Sequence, residues 1–220
     1  MAPKVLVIGA SRGIGRATVE RALEAGYQVR GFARDASVLD DHPQLERVSG
    51  DALDAQAVKA ALDGCDWVVQ ALGVPFNWQL ITGPITSFST ATEILLQQMA
   101  QCSPAGPRRL VAVTGYGAGS SAASIHWLQR PGFNFVFGRA YADKSVQESM
   151  IEASDLDWTI VRPGVLTHGP QQDDYLVLEQ AEDWVNGVIA RASVADFIIQ
   201  SLAGDDYIHR APVLVRDRLF

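Results

Sequence analysis

An apolar run that ends in a glycine-rich turn constrains this sequence more than any other feature. Val5-Leu-Val-Ile8 is followed by Gly9-Ala-Ser-Arg-Gly-Ile-Gly15, and a helical pattern begins at once. Such an apolar run is typical of a strand buried on both faces of a sheet. Glycine lets the backbone approach a ligand closely, and the first turn of a helix offers unpaired N–H groups to a phosphate. The stretch therefore predicts the phosphate end of a dinucleotide site, with a turn that binds no ligand as the alternative.

Strand and helix patterns alternate from one end of the chain to the other. Strands are predicted at 5–8, 27–33, 45–49, 65–73, 109–114 and 157–162, with a small one at 175–179 and a closing one at 211–215. Helices are predicted at about 14–25, 54–62, 86–101 and 138–154, and from Ser193 onward, with Asp54 and Ser193 as N-caps. This alternation predicts an α/β fold, a doubly wound parallel β-sheet with helices on both faces, in one domain over 1–220. The segments at about 116–138 and 166–190 are expected to form small substrate-side elements.

Charge and cysteine content narrow the partners and the compartment. The net charge is −7 with no long run of either sign, which argues against nucleic-acid binding because that needs a clustered basic surface. Cys65 and Cys102 fit no metal-ligand spacing, so no metal site is expected. No apolar stretch reaches the ~20 residues of a bilayer span, and no signal segment precedes the first strand. We expect a cytoplasmic protein without a membrane partner, either a monomer or a homodimer.

Charged residues after the second and third strands bear on which dinucleotide would bind. Arg34 stands where such folds read the adenosine ribose, and Arg12 in the glycine turn could reach the same place. Two guanidiniums suit a phosphate dianion, which favours NADP(H) over NAD(H). Asp35 keeps NAD(H) open, because a carboxylate would accept bonds from a free 2′-hydroxyl. Asp51 could accept the adenine amino group or bond its own turn.

The order of these motifs resembles the short-chain dehydrogenase/reductase superfamily. More narrowly, it is similar to the atypical NAD(P)H-binding branch that includes the NmrA-like proteins and the biliverdin/flavin reductases. The matching motifs are Gly9-x-x-x-Gly13-x-Gly15, Arg34-Asp35, Gly50-Asp51, Ala71-Leu72-Gly73, Lys144 and Trp158-Thr-Ile-Val-Arg-Pro-Gly164. The resemblance covers nearly the whole chain and implies a Rossmann-type domain that binds NADP(H).

The resemblance also implies a role for each matching residue. Gly9, Ser11, Arg12, Gly13 and Ile14 would cradle the pyrophosphate, Arg34 would meet the 2′-phosphate, and Asp51 with Ala52 would meet the adenine. Ala71, Leu72 and Gly73 would pass the riboses, Lys144 would bond the nicotinamide ribose, and Pro163, Gly164 and Val165 would face the nicotinamide amide.

The catalytic residues of the superfamily are matched less closely. Ordinary members place a tyrosine four residues before a lysine on one helix, and the lysine lowers the pKa of the tyrosine for proton transfer. Here Tyr141 is three residues before Lys144, so it is a candidate proton donor or a packing residue. Thr114, which stands at the strand-five serine position, and Tyr116 are further candidates. If Lys144 does not touch a cofactor, it would be an exposed partner for Glu148.

Three functions are compatible with this pattern. A reductase that passes hydride from NADPH to a small carbonyl, quinone or flavin-like acceptor is favoured, since a flat substrate suits the aromatic residues Phe76, Trp78, Trp127, Phe133, Phe135 and Phe137. A non-catalytic NADP(H)-binding sensor, regulator or assembly factor is the alternative, supported by the altered tyrosine spacing. A sugar-nucleotide epimerase is disfavoured, because about 55 residues follow Gly164 and leave little room for a substrate lobe.

Overall fold

The computed structural model describes residues 2–73, 87–102, 106–124 and 130–218. The first half of the chain forms β1 (Lys4–Ile8), α1 (Gly13–Glu24), β2 (Gln28–Ala33), β3 (Leu45–Ser49), α2 (Ala55–Leu62), β4 (Trp67–Gln70) and α3 (Ser87–Cys102). The second half forms β5 (Arg109–Val113), a 3₁₀ turn (Gly119–Ser124), α4 (Arg130–Glu152), β6 (Asp157–Pro163), β7 (Val165–Thr167), β8 (Leu176–Leu178), a second 3₁₀ turn (Ala181–Asp183), β9 (Gly187–Ala190), α5 (Arg191–Ala203), β10 (Val213–Val215) and β11 (Asp217–Arg218).

Eight strands form one sheet in the order β3-β2-β1-β4-β5-β6-β10-β8. All neighbours in it run parallel except β8, which is antiparallel to β10. After β3 the chain crosses back over β2 and β1 to enter β4, so the direction of winding changes between β1 and β4. Open parallel sheets bind ligands outside the carboxyl ends of their strands at such a switch point. The predicted α/β class is confirmed, and a small second sheet (β11-β9-β7) extends from the end of β6.

Helices cover both faces of the large sheet, which explains why its central strands are mainly apolar. Val5 and Val7 of β1 face one layer, where α1 and α5 contribute Val19, Phe197 and Ile198. Leu6 and Ile8 face the other layer, where α2, α3 and α4 contribute Leu62, Leu95 and Ile151. A strand covered on both faces has no solvent side to fill with polar residues. None of the helices in the described ranges is both long and apolar enough to cross a membrane.

The structure confirms one prediction about where helices begin and contradicts two others. Asp54 caps α2 as predicted, because its carboxylate accepts from the N–H of Gln56 at 2.9 Å. The predicted cap at Ser193 is wrong: α5 begins earlier, at Arg191, and the Ser193 hydroxyl bonds the backbone N–H and C=O of Gln172. The helix predicted from Gly138 begins earlier, at Arg130, so the predicted substrate-side segment after β5 is partly helical.

Candidate functional site

The glycine turn after β1 lies directly against the end of β4. Gly9 has φ +90°, and a Cβ there would be 2.6 Å from the carbonyl oxygen of Ala71. A Cβ on Gly15 would be 2.2 Å from the carbonyl oxygen of Gly9. Both positions therefore exclude a side chain, and their lack of one lets α1 begin immediately beside the β1/β4 switch point.

Within the described residues, no side chain caps the N–H donors in the first turn of α1. Arg12, at the N-cap, makes no side-chain cap bond, and the first turn contains no acidic residue. The starts of α2 and α3 differ: Asp54 caps α2, and Asp143 accepts from the N–H of Phe88 at 2.9 Å. First-turn N–H groups have no partner within their own helix, and they form the positive end of its dipole. An uncapped turn without a Cβ in the way fits the pyrophosphate of a dinucleotide.

The two charged residues after β2 differ in how they are engaged. Arg34 is exposed and has no ion pair within the described residues. Asp35 accepts from the hydroxyl and the N–H of Ser37, at 2.6 Å and 3.0 Å. These bonds lower the pKa of Asp35, and the bond from the Ser37 hydroxyl makes the largest contribution. The carboxylate is thus engaged by its own turn, while the guanidinium of Arg34 is open to a ligand.

The residues after β3 and β4 are those that the sequence predicts to contact the adenine and the riboses. Asp51 is exposed and accepts from the N–H of Leu53 at 3.0 Å, so one carboxylate oxygen bonds its own turn. Ala52 is half-buried beside it, as are Ala71 and Leu72 beyond β4.

Two further residues of the predicted cofactor set lie nearby, Ser11 half-buried in the glycine turn and Ile14 buried in the first turn of α1. Arg12 extends from this turn to the exposed Gly73, with its Nη2 atom 3.4 Å from the Gly73 carbonyl oxygen.

Lys144 is buried against the carboxyl end of β5. Its Nζ atom donates to the carbonyl oxygens of Thr114 at 2.9 Å and Val113 at 3.3 Å, and lies 4.4 Å from the ring centre of Phe88. Burial lowers the pKa of Lys144 to about 8, although Glu148 and Asp143 oppose the shift. The alternative of an exposed partner for Glu148 is wrong, because Lys144 is 9% exposed and Glu148 pairs elsewhere.

Glu148 belongs to a buried ion pair that the sequence analysis missed. Its Oε2 atom lies 2.7 Å from Nη2 of Arg162, and its Oε1 atom accepts from Nε of Arg162 at 3.1 Å and from the hydroxyl of Thr114 at 2.5 Å. Both charged side chains are 1% exposed. The hydroxyl of Thr114 is therefore directed at α4. An arginine within the apolar stretch of β6 was a usable signal, because a buried guanidinium needs a carboxylate.

The two tyrosine candidates are held by packing. The phenol oxygen of Tyr141 would be 2.8 Å from a Cβ on Gly115, so the ring tip occupies the space that this glycine leaves. Burial raises the pKa of Tyr141 to about 12, the opposite of activation by a lysine. Tyr116 is 6% exposed and packs with Val213 and Val215, and burial raises its pKa as well.

The turn from β6 to β7 completes the carboxyl edge. The Pro163 carbonyl accepts from the N–H of Tyr116 at 2.9 Å, and the N–H of Gly164 donates to Leu214 at 3.0 Å. Val165 opens β7 and is 52% exposed. The predicted contact points thus follow β2, β3, β1, β4, β5 and β6 along one edge of the sheet.

Other sequence predictions fall where no side chain is described. Phe76, Trp78 and Trp127 lie outside the described residues, as do the side chains of Phe133, Phe135 and Phe137. Within the described ranges, no group of three or more histidine, cysteine or acidic residues is arranged to hold a metal ion.

Known proteins resemble this chain over nearly its full length. The uncharacterized sugar epimerase YhfK of Bacillus subtilis is 26% identical over 219 residues, 94% of this chain and 92% of that protein. The solved structure of ChuY, an anaerobilin reductase from Escherichia coli O157:H7, has a TM-score of 0.77 and 26% identity, covering 98% of this chain and 97% of ChuY. A short-chain dehydrogenase/reductase from Veillonella parvula, solved in complex with NADP, has a TM-score of 0.79 at 13% identity, covering 98% of this chain and 95% of that one.

A protein-family model matches most of this chain. It covers residues 9–205, from the glycine turn to just beyond α5. The resemblance to the atypical branch of the short-chain dehydrogenase/reductases is confirmed. The chain belongs to the NAD(P)H-binding family.

Proposed function

We propose that this protein is an NADPH-dependent reductase that passes hydride to a small, flat, conjugated acceptor such as a flavin or a quinone. The uncapped first turn of α1 at the switch point carries the cofactor part of this proposal. Membership of an NAD(P)H-binding family and likeness to an anaerobilin reductase support oxidoreductase chemistry. The choice of NADPH rests on the exposed guanidinium of Arg34, next to an Asp35 carboxylate that bonds its own turn. Arg12 is a second exposed cation, and its Nη2 atom lies 3.4 Å from the Gly73 carbonyl oxygen.

The residues of this chain would bind and orient the cofactor. The α1 N-terminus would hold the pyrophosphate, and the β6–β7 turn from Pro163 to Val165 would face the nicotinamide amide. When bound, the nicotinamide supplies the hydride. Lys144 holds the Val113 and Thr114 carbonyls in place at the end of β5, and through them the shape of this part of the crevice.

The acceptor class follows from how the candidate acids are held. The Thr114 hydroxyl donates a hydrogen bond to Glu148, and burial raises the pKa of Tyr141 to about 12. A ketone needs a proton at its oxygen as hydride arrives at carbon, and general acids supply it most effectively with a pKa near the working pH. A flavin or quinone delocalises the added electron pair over its rings and can take its proton from water. One NADPH and one proton are consumed for each acceptor reduced.

A turnover panel tests this proposal. We expect purified protein to oxidise NADPH with at least one flavin or quinone, followed by the loss of NADPH absorbance, and to act more slowly on aldehydes. Tyr141→Phe should leave flavin or quinone turnover unchanged. A loss of about a hundredfold or more, as expected for a general acid, would contradict the acceptor assignment.

The same panel distinguishes the second candidate, a non-catalytic NADP(H)-binding sensor or regulator. Its support is the placement of Tyr141, three residues before Lys144 and against Gly115. Tight binding of NADPH without oxidation by any acceptor in the panel would favour the sensor.

A further inference from the structure

Arg191, the first residue of α5, lies beside the glycine turn although 178 positions separate it from Gly13 in the sequence. Its Nε atom is 4.0 Å from the point that a Cβ on Gly13 would occupy. Its Nη1 atom donates to the carbonyl of Thr167, at the end of β7, at 2.9 Å. The guanidinium is therefore bonded to β7 through one nitrogen, while its Nε side lies against the glycine turn.

Two helices begin side by side at this place. An ion pair between Arg21 of α1 and Asp196 of α5, at 2.8 Å, holds the two helices together. The N-cap of α5 is Ala190, which makes no side-chain bond, and neither helix has an acidic residue in its first turn. In the part of the chain that the structure describes, the two positive helix ends thus lie together without a carboxylate to cap either of them.

Arg191 adds a full positive charge to this pair of helix ends. Within the described residues it has no ion-pair partner, whereas Arg16, Arg21, Arg30, Arg47, Arg162 and Arg216 each pair with an acid. A cation next to two uncapped helix ends adds to the positive potential at this place, and a positive potential favours the binding of an anion. A pyrophosphate at the start of α1 would supply that anion.

We propose that Arg191 binds the pyrophosphate of the dinucleotide from the α5 side, opposite the backbone N–H groups of the glycine turn. This inference rests on the proposed function, since it assigns a further residue to the same site. It separates two roles for arginine: Arg191 recognises the phosphates that NADPH and NADH share, and Arg34 with Arg12 recognises the 2′-phosphate that only NADPH carries. A guanidinium fork suits a phosphate because it can donate two parallel hydrogen bonds.

Calorimetric titration of three ligands tests the assignment. Arg191→Ala should raise the Kd for NADPH and the Kd for NADH by the same factor, about ten- to a hundredfold, as expected for a lost charge-assisted hydrogen bond. It should leave adenosine 2′-monophosphate unaffected, because that ligand has no pyrophosphate. Arg191→Lys should recover part of the loss, since it keeps the charge without the fork. Arg108→Ala is the matched control: Arg108 is exposed, donates to the single carbonyl of Asp155, and lies before β5 at the opposite edge of the sheet.

Each contrary result has a separate meaning. Unchanged affinity for both dinucleotides in Arg191→Ala would overturn the assignment, and a loss confined to NADPH would move Arg191 to the 2′-phosphate and also overturn it. An equal loss for adenosine 2′-monophosphate would show that Arg191 acts through folding of the site. If the unaltered protein bound neither dinucleotide, the proposed function itself would fail, and the inference with it.

Discussion

The ammonium group of Lys144 is bound by two carbonyls and an aromatic face, with little access to water. In the superfamily that the chain resembles, a lysine on this helix lowers the pKa of a neighbouring tyrosine. Here the pKa of Tyr141 is raised by its own burial, and the lysine itself bears the cost of desolvation. Tyr141 is one residue closer to Lys144 than in the usual spacing. The charge of Lys144 binds the end of β5 and does not lower the pKa of this tyrosine. Contact between Lys144 and a ribose stays a prediction.

The burial of Lys144 predicts a pH dependence of stability. Its pKa falls from 10.5 to about 8 on folding, so the unfolded chain binds more protons between these values, and stability rises with pH through that window. From pH 7 to pH 9.5, Lys144 should contribute a gain on the order of 2 kcal/mol in the free energy of unfolding, which Lys144→Met would lack. Urea denaturation at both pH values measures it. Lys59→Met, at an exposed position of α2, is the control. The assignment would be contradicted if the free energies of unfolding of the unaltered protein and of Lys144→Met differed by the same amount at both pH values.

At the scale of elements, one stretch of α4 joins three others. Asp143 bonds the first N–H groups of α3, Lys144 bonds the end of β5, and Glu148 pairs with Arg162 of β6. All three point to the inside of the molecule, so polar residues occupy the buried face of this helix. This explains why α4 has no simple apolar stripe, and why its polar residues cannot be read from the sequence as a solvent face.

The link from α4 to α3 predicts a measurable loss of stability. Asp143 accepts from the N–H of Phe88 and Ser89 and from the Ser89 hydroxyl, and is 7% exposed. Asp143→Ala should lower the free energy of unfolding by about 1–3 kcal/mol, because buried donors lose their acceptor. Asp143→Asn should lower the free energy of unfolding less, since its amide oxygen can still accept hydrogen bonds from the N–H groups of α3. The control is Asp155→Ala at an exposed position, expected within about 0.5 kcal/mol of the unaltered protein. Equal stability of Asp143→Ala and this control would refute the linking role.

At the scale of the whole molecule, the sequence predicted the large sheet because each central strand is a run of apolar residues between helices. It did not predict β7, β9 and β11, which have two to four residues each and are too short to carry a period. Arg191 was missed for a different reason. Its position beside Gly13 arises from the packing of α5 against α1, and no local pattern encodes a contact between residues so distant in sequence.

The candidate site, too, could be predicted from the sequence only in part. Glycines that need close approach and residues after parallel strands could be placed from the sequence, since carboxyl ends of parallel strands meet at one edge. The sequence offered the bond of Asp51 to its own turn as one of two alternatives, but it did not indicate that Asp35 bonds Ser37 or that Thr114 bonds Glu148. Hydrogen bonds of this kind depend on rotamers and loop geometry. The roles of the individual site residues, the cytoplasmic location and the monomeric or dimeric state stay predictions.

The proposed preference for NADPH predicts an effect on the stability of the whole molecule, because a ligand that binds the native state raises its stability. At a concentration of 100 times Kd, the gain is about 2.7 kcal/mol. At equal concentrations, NADPH should therefore raise the midpoint of thermal unfolding more than NADH does. In Arg34→Ala the two cofactors should act alike, and in Arg12→Ala their difference should narrow. Arg47→Ala, which removes a surface cation of β3 that pairs with Asp41, should keep the full difference. If NADH stabilised the unaltered protein as much as NADPH, the open guanidinium of Arg34 would not be a 2′-phosphate site. The assignment would also fail if both arginine variants kept the preference.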